Sequence, residues 1–477
     1  MNTEEESQGT DRSEDSGSQG VAVVLQELVP RIALLTPYTG GNFGDAAIQD
    51  ALIANLRFRL PLAQFSGISL NCKNFLERHG TQAYPLCTSQ SPYYGMASCG
   101  DSSNLTIAKP TQARFATLKL YVKRAVARIP GMRRLNRKLQ SAITGVRREL
   151  QHCLGGFRFL RQQRLLVVSG GGQLDEEWGG AWGHPFTLLK WAVLARAARV
   201  PFVIASVGVG RIGSLKCRLF LSVALRLARY KSYRDEHSKE LSGRLLVDAS
   251  GDFVVPDLAF SFPPSELPSP ADLRCISRGR TIVAISPISY AKPESWPHQD
   301  RQIYDRYLRH IAAAIRLLDS RGYMVVIVWS SLSDRQVVSD LQEVLKSAGK
   351  DQSAPELYIP PLGSWRELVS VLQSIDILIA SRLHSIILGA LSHKPVIAVS
   401  FDPKVEWVME DLNQTGYLMQ IQNFTADQLM QAIESIQRQP SKVTLEIASY
   451  VQRVQPILSR QYGFLAESSL AALGKEN

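Results

Sequence analysis

The stretch 374-SIDILIASRLHSIILGALSHKPVIAVSFDPKVEW-407 decides how the rest of the chain is read. Its apolar run Ile375 to Ala380 reads as a buried parallel strand, and it delivers Ser381-Arg382-Leu383-His384 to the point where a helix should begin. A second apolar run, Pro395 to Val399, follows after one short helix and delivers Asp402 and Lys404 in the same way. Two consecutive parallel strands joined by a crossover helix point their carboxyl ends at one edge of a sheet. Arg382, His384 and Lys404 are thereby brought together near helix N-termini, an arrangement suited to trapping an anion, with the histidine also free to move protons. The plainer alternative keeps Arg382 and Lys404 as surface charges and His384 as a satisfied, capped histidine.

Alternating elements lead into this stretch: strand Thr281 to Ser286, helix 303–319, strand Tyr323 to Trp329, helix 334–348, strand Leu357 to Ile359 and helix 364–373. They predict a doubly wound sheet in which Ile375 to Ala380 is the central strand. A similar series fills the first half. Arg31 to Thr36 makes a first strand and continues into PYTGGNFGDAAIQDALIANL. There Gly40, Gly41 and Gly44 let the backbone turn and approach a ligand, and Asp45 is placed to cap a helix beginning near Ala46. The pattern G-G-N-x-G-D is neither the dinucleotide fingerprint nor a P-loop. Asn42 and Asp45 are read as substrate contacts, with a purely structural loop and cap as the alternative.

Further along, Leu165 to Val168 reads as a short buried strand, and Gly170, Gly171 and Gly172 after it offer bare backbone to a sugar or phosphate. A helix from Phe186 to Ala198 leads to strand Phe202 to Ser206 and the glycine-lined turn at Gly208; a helix from Leu215 to Ala228 leads to the strand end that carries Arg234 and Asp235. Val254-Val255-Pro256-Asp257 closes the series. The reading is an α/β chain of two doubly wound, Rossmann-like domains facing a cleft. An N-terminal domain spans 21–262, a proline-rich linker 263–280, a C-terminal domain 281–440, and a helical region 441–477 crosses back to brace the first domain.

Composition narrows the partners. The 477 residues carry a net charge of +11 although the first twenty, MNTEEESQGTDRSEDSGSQG, are acidic, so basic charge is concentrated elsewhere and favours anionic partners. Between Lys109 and Arg164 stand fifteen Lys or Arg residues against the single acid Glu149. Leu118, Val122, Ala125, Val126 and Ile129 recur there at helical spacing until Pro130-Gly131 breaks the pattern. Such an insertion suits peripheral contact with an anionic membrane or a lipid-linked glycan, with a plain solvated surface as the alternative. Without aromatic interleaving or a recognised motif the charge argues against nucleic acid. Six cysteines without C-x-x-C pairs or His/Cys ligand spacing, and an N-terminus unlike a secretory leader, are those of a cytoplasmic protein with a disordered tail and no transmembrane helix.

The ordered set GGNFGDAAI, SGGGQLDE, SVGVG, YRDEHS, VVPDLAF and SRLHSIILGALSHKPVIAVSFDPKV resembles the polysaccharide pyruvyl transferase family over roughly residues 31 to 415. The resemblance implies a two-domain fold of the glycosyltransferase-B type. It also implies transfer of the enolpyruvyl skeleton of phosphoenolpyruvate onto two hydroxyls of one sugar, giving a pyruvate ketal and phosphate. It places the phosphoenolpyruvate-binding arginine of R-D-x-x-S on Arg234, the arginine and histidine of R-L-H on Arg382 and His384, and the lysine beyond the next strand on Lys404. Two arginines suit planar anionic groups, the lysine supplies a point charge, and the histidine serves a proton transfer or phosphate binding. No cofactor is called for beyond phosphoenolpyruvate as donor substrate, and the cations can supply the electrostatics for which other enzymes use a metal. Two readings compete: a nucleotide-sugar-dependent glycosyltransferase, and a noncatalytic glycan-binding protein of the same fold.

Overall fold

The computed structural model describes residues 29–88 and 132–471, apart from 178, 246, 294, 295, 297 and 348–354. The acidic tail and the helical pattern at 118–129 lie outside the described residues. Seven strands make the first sheet: β1 (Arg31–Thr36), β2 (Gln64–Ser69), β3 (Ala83–Pro85), β4 (Leu165–Leu174), β5 (Phe202–Val209), β6 (Tyr230–Tyr233) and β7 (Phe253–Val254), in the order β3-β2-β1-β4-β5-β6-β7. Six make the second: β8 (Ile282–Ser286), β9 (Met324–Ile327), β10 (Leu357–Tyr358), β11 (Ile377–Ala380), β12 (Val396–Ser400) and β13 (Leu418–Gln420), in the order β10-β9-β8-β11-β12-β13. Pairing within both sheets is parallel. This is the two-lobed, doubly wound α/β architecture of the glycosyltransferase-B type.

β1 illustrates why the strands read as unbroken apolar runs. Ile32 and Leu34 enter one buried layer and Ala33 and Leu35 the other, so both faces of the strand need hydrocarbon. Chain order reverses between β1 and β4 in the first sheet and between β8 and β11 in the second. At these two points the loops beyond the carboxyl ends part and leave a crevice.

Several boundaries differ from the sequence reading. β4 and β5 run on through their glycines, because parallel pairing continues at Gly171 with Val207 and Gly172 with Gly208. Gly170 and Gly171 take positive φ, +54° and +72°, and the register shifts just beyond them, so the glycines form an irregular strand end rather than a turn. The 263–280 linker is tied to the second lobe: Ser370 Oγ donates to the Ser269 carbonyl at 2.7 Å, and Ala271 N to the Ser370 carbonyl at 2.8 Å.

Among the described residues the lobes are joined at several places outside the cleft. Phe43 N donates to the Ser330 carbonyl and Leu332 N to the Gly41 carbonyl, each at 2.8 Å, so the first glycine loop is latched to the loop after β9. Trp365 Nε1 donates to Asp50 Oδ2 at 2.7 Å while its ring stacks on Phe262. The long helix Pro440–Ala471 lies against the first lobe. Its Gln461 accepts from Ser232 Oγ and Tyr230 OH and donates to Ser206 Oγ, and Tyr462 OH meets Ser261 Oγ at 2.8 Å.

Candidate active site

The helix Phe43–Arg59 begins three residues earlier than the sequence suggests, because Asn42 rather than Asp45 caps it. Asn42 Oδ1 accepts from Gly44 N at 3.0 Å and Asp45 N at 3.4 Å, and its backbone bridges to Ser331. A cap in the first lobe is thus also part of the latch. Asp45, released from capping, is half-buried; desolvation pushes its carboxyl above the ordinary range against the pull of His384, Arg382 and Arg234.

Gly44 is the floor on which His384 rests. A Cβ placed on Gly44 would fall 2.0 Å from His384 Cγ and 2.1 Å from its Nδ1, so the imidazole of the second lobe packs straight onto the backbone of the first. His384 stands in the first turn of the helix Leu383–Leu391, and its Nε2 lies 3.8 Å from Oδ2 of the buried Asp257. Burial alone would raise the Asp257 carboxyl, but His384 and then Arg234 outweigh it and hold the group below the usual carboxylate range.

Two more glycines serve the same purpose. A Cβ on Gly208 would come within 2.7 Å of Arg234 Cζ, so the bare strand end of β5 carries that guanidinium. Arg234 is buried, and its Nε donates to Asp235 Oδ2 at 3.1 Å while Asp235 caps the helix Glu236–Ser242. Beside Gly172 lie Asp175 Oδ2 and Lys404 Nζ, 3.7 and 3.9 Å from where a Cβ would sit. Burial lifts the Asp175 carboxyl to about 6 even with Lys404 alongside. Asp402 caps the helix Pro403–Asp411, accepting from Lys404 N at 3.0 Å, and its other oxygen lies 3.8 Å from Lys404 Nζ.

These placements change the expected assignment of parts. Gly44, Gly172 and Gly208 make room for the cationic side chains, and Gly171 faces Asp45 Oδ1 at 3.6 Å. Gly170 faces the core, where a Cβ would meet Ile48 at 3.0 Å and Leu258 at 3.3 Å. Asn42 and Asp402 act as helix caps. Arg382 engages Asp334 with Nε at 2.5 Å and Nη2 at 2.8 Å, so two of the nitrogens assigned to a bound anion already hold a buried carboxylate. That partner outweighs burial and holds the guanidinium more firmly protonated than usual.

Arg234, His384 and Lys404 converge from the two sheet edges, and carboxylates surround them. Asp257 and Asp175 were present in the quoted motifs as buried acids at strand ends, a signal that reading for cations passed over. Asp334 gave no signal, because it looked like the first residue of an exposed helix. Arg234 Nη2, His384 Nε2 and Asp257 Oδ2 are buried without a hydrogen-bond partner in the protein. Leaving such an atom unsatisfied costs about 1–3 kcal/mol, and more when it is charged, so the cluster has hydrogen-bonding capacity that a polar ligand can meet.

A separate group, Glu149, His152 and Cys153, holds its ligand atoms within 4.8 Å of one another, although sequence spacing suggested no such set. Its carboxylate already accepts from Lys190 Nζ at 2.8 Å and Thr88 Oγ1 at 3.0 Å, so a cation would have to displace the lysine ammonium. Among the described residues no helix is long and apolar enough to cross a membrane.

A family model described as polysaccharide pyruvyl transferase matches residues 42–403, from the Asn42 cap to the residue before Lys404. No curated protein matches the chain. Among solved structures, a putative UDP-N-acetylglucosamine 2-epimerase from Listeria monocytogenes is similar with a TM-score of 0.52 at 8% identity, covering 88% of this chain and 91% of that one. A glycosyltransferase from Rickettsia africae is similar with a TM-score of 0.50 at 12% identity, covering 93% and 99%. Anabaena HepE in complex with UDP-glucose gives 0.48 at 14% identity, covering 93% and 99%. At these identities the first two likenesses speak for the fold alone.

Proposed function

Because the chain belongs to the polysaccharide pyruvyl transferase family, we propose that it transfers the enolpyruvyl skeleton of phosphoenolpyruvate onto a sugar of a polysaccharide or its lipid-linked precursor. The observation that carries this reading is the meeting of Arg234, His384 and Lys404 on glycine backbone, with Arg234 Nη2 buried without a hydrogen-bond partner and His384 Nε2 facing Asp257 Oδ2 at 3.8 Å, beyond hydrogen-bond length. Phosphoenolpyruvate brings a carboxylate and a phosphate. In the proposal Arg234 and Lys404 bind these groups, and Arg382, fixed by Asp334, adds field rather than a bidentate grip.

The chemistry calls for a proton relay. A proton delivered to C3 turns the methylene into a methyl group and makes C2 electrophilic, and the first sugar hydroxyl adds there and gives up its proton. The C2–O bond to phosphorus-bound oxygen then breaks, phosphate leaves, and the second hydroxyl closes the ketal and gives up its own proton. Of the two hydroxyl protons, one is balanced by C3 and one by the departing phosphate, so a single group can pass protons in both directions. In the proposal His384 is that group, with Asp257 Oδ2 3.8 Å from its Nε2. We place the enzyme in the cytoplasm, in keeping with the free thiols of Cys72, Cys153, Cys217 and Cys275.

The test is incubation with phosphoenolpyruvate and a panel of glycan acceptors, reading phosphate release and a product heavier by one pyruvate ketal. Sugar transfer from a nucleotide sugar, with no response to phosphoenolpyruvate across the panel, would sink the proposal.

A pH dependence follows from Asp175. Its carboxyl, raised to about 6, is ionised above that pH, where it offsets the Lys404 charge and repels an anion; below it the group is neutral and the repulsion is gone. Asp175→Asn is therefore expected to bind phosphoenolpyruvate more tightly than the unsubstituted protein above pH 6, with the difference closing as pH falls through 6. Calorimetric titration across this range checks it, and a difference that does not vary with pH would refute the assignment.

A further inference from the structure

From residue 143 on, the helix Met132–Leu160 has two unlike faces. One is packed: His152 Nε2 lies 2.8 Å from the Pro85 carbonyl, Tyr84 OH donates to the His152 carbonyl at 2.8 Å, and Glu149 holds Lys190 at 2.8 Å. The other carries Ile143, Val146, Leu150 and Leu154, exposed by 59%, 61%, 59% and 59%. Their spacing of three, four and four residues keeps them on one stripe. Arg147 and Arg158 border it along one side; Arg161, just past the helix, and Arg148, on the opposite side, are also exposed. Glu149 is turned inward to Lys190 and Thr88, so the exposed charges from 143 to 161 are all positive.

The position of the helix matters as much as its chemistry. It leads into the start of β4 and so runs against the strand direction. The end of β3 meets it at His152, and Thr88, beyond that end, meets it at Glu149. The turns before Glu149 therefore pass beyond the carboxyl edge of the sheet, the edge that carries the cleft. At 1.5 Å per residue they reach about 25 Å past it.

The geometry points to a peripheral membrane-docking surface, with the apolar stripe seated in the interface of a bilayer containing anionic lipid and the arginines on its phosphates. A second copy offering the same face would set arginine against arginine, which disfavours self-association and leaves the lipid surface as the complementary partner. Docked in this way, the protein holds the cleft edge at the leaflet, where an acceptor glycan anchored to lipid would present its sugar. This last step rests on the proposed pyruvyl transfer; the docking does not.

Flotation with vesicles of phosphatidylcholine alone, and of phosphatidylcholine with phosphatidylglycerol, tests the surface. The full chain is expected to float with the anionic vesicles and to be released by added salt, and Leu150→Glu with Leu154→Glu is expected to lower the bound fraction about tenfold or more. These side chains are exposed, so an unchanged thermal melt and circular dichroism spectrum should accompany the loss. The same double substitution should leave pyruvylation of a water-soluble acceptor intact and slow that of a lipid-linked one. Equal binding to both vesicles, binding to neither, or a dimer that the substitutions dissolve without any vesicle binding would each overturn the proposal. Vesicle binding as expected in a protein with no pyruvyl transfer would leave the surface standing and remove the activity.

Discussion

Gly44→Ala is expected to lower turnover by about 10²-fold or more, although it adds a single methyl group far smaller than anything it faces. That methyl would lie 2.0 Å from His384 Cγ, well inside contact distance, so something must move. The backbone is poorly placed to do so: Asn42 caps the helix through Gly44 N, and the neighbouring Gly41 and Phe43 are hydrogen-bonded to the second lobe. The imidazole is the part that yields, and in swinging aside it leaves Asp257 and the cleft. Overpacking of this kind costs about 1–3 kcal/mol in stability, which denaturant titration can read alongside the kinetics. Gly172→Ala is the contrast, since its Cβ would meet Asp175 and Lys404 at 3.7 and 3.9 Å, ordinary contact distances, and it should fold and turn over with a much smaller loss. If both alanines behave alike, close packing against His384 is not what Gly44 provides.

His384→Ala is expected to reduce kcat by roughly 10²- to 10⁴-fold, the range for loss of a general acid or base, while phosphoenolpyruvate affinity falls far less. Arg234 and Lys404 remain to neutralise the ligand. Arg234→Ala should show the reverse split, with binding weakened by about 1.5–3 kcal/mol through loss of hydrogen bonds to a charged group. Asp257→Asn keeps the shape of the site and removes the charge beside the imidazole, so its main effect should fall on kcat. Steady-state kinetics with calorimetric binding separates the three. A His384→Ala enzyme with normal turnover and weakened binding would make the histidine an anion ligand rather than a proton carrier.

What sequence could convey here was placement, and what it could not convey was pairing. The stretch from Ile375 to Lys404 carries its strand, helix and strand in plain apolar periodicity, so the arrival of Arg382, His384 and Lys404 at one sheet edge was readable. The glycines were readable as positions where backbone comes close to something. That the something is His384 on Gly44 and Arg234 on Gly208 depends on how two lobes, encoded hundreds of residues apart, close on each other. Local patterns carry no record of that closure. The same limit explains Arg382: its partner Asp334 lies beyond another strand, and a buried carboxylate at a helix entry looks in sequence like a solvated one. It also explains Asp45, which was read as a cap because any acid before a helix can be one, until Asn42 proved to be the residue with the extended backbone a cap requires.

The helix Pro440–Ala471 has a bearing on the order in which the molecule can be made. Ser206 and Ser232 sit deep in the first lobe, yet the amide that bridges their hydroxyls belongs to Gln461, more than two hundred residues further along. A ribosome that has finished β1 to β7 has therefore not finished the lobe they form, because the polar groups beneath this helix still lack their partner. The first lobe must wait, partly wet and open to other contacts, until nearly the whole second lobe has emerged. A stop or cut shortly before Gln461 would thus injure the half of the protein farthest from it in sequence.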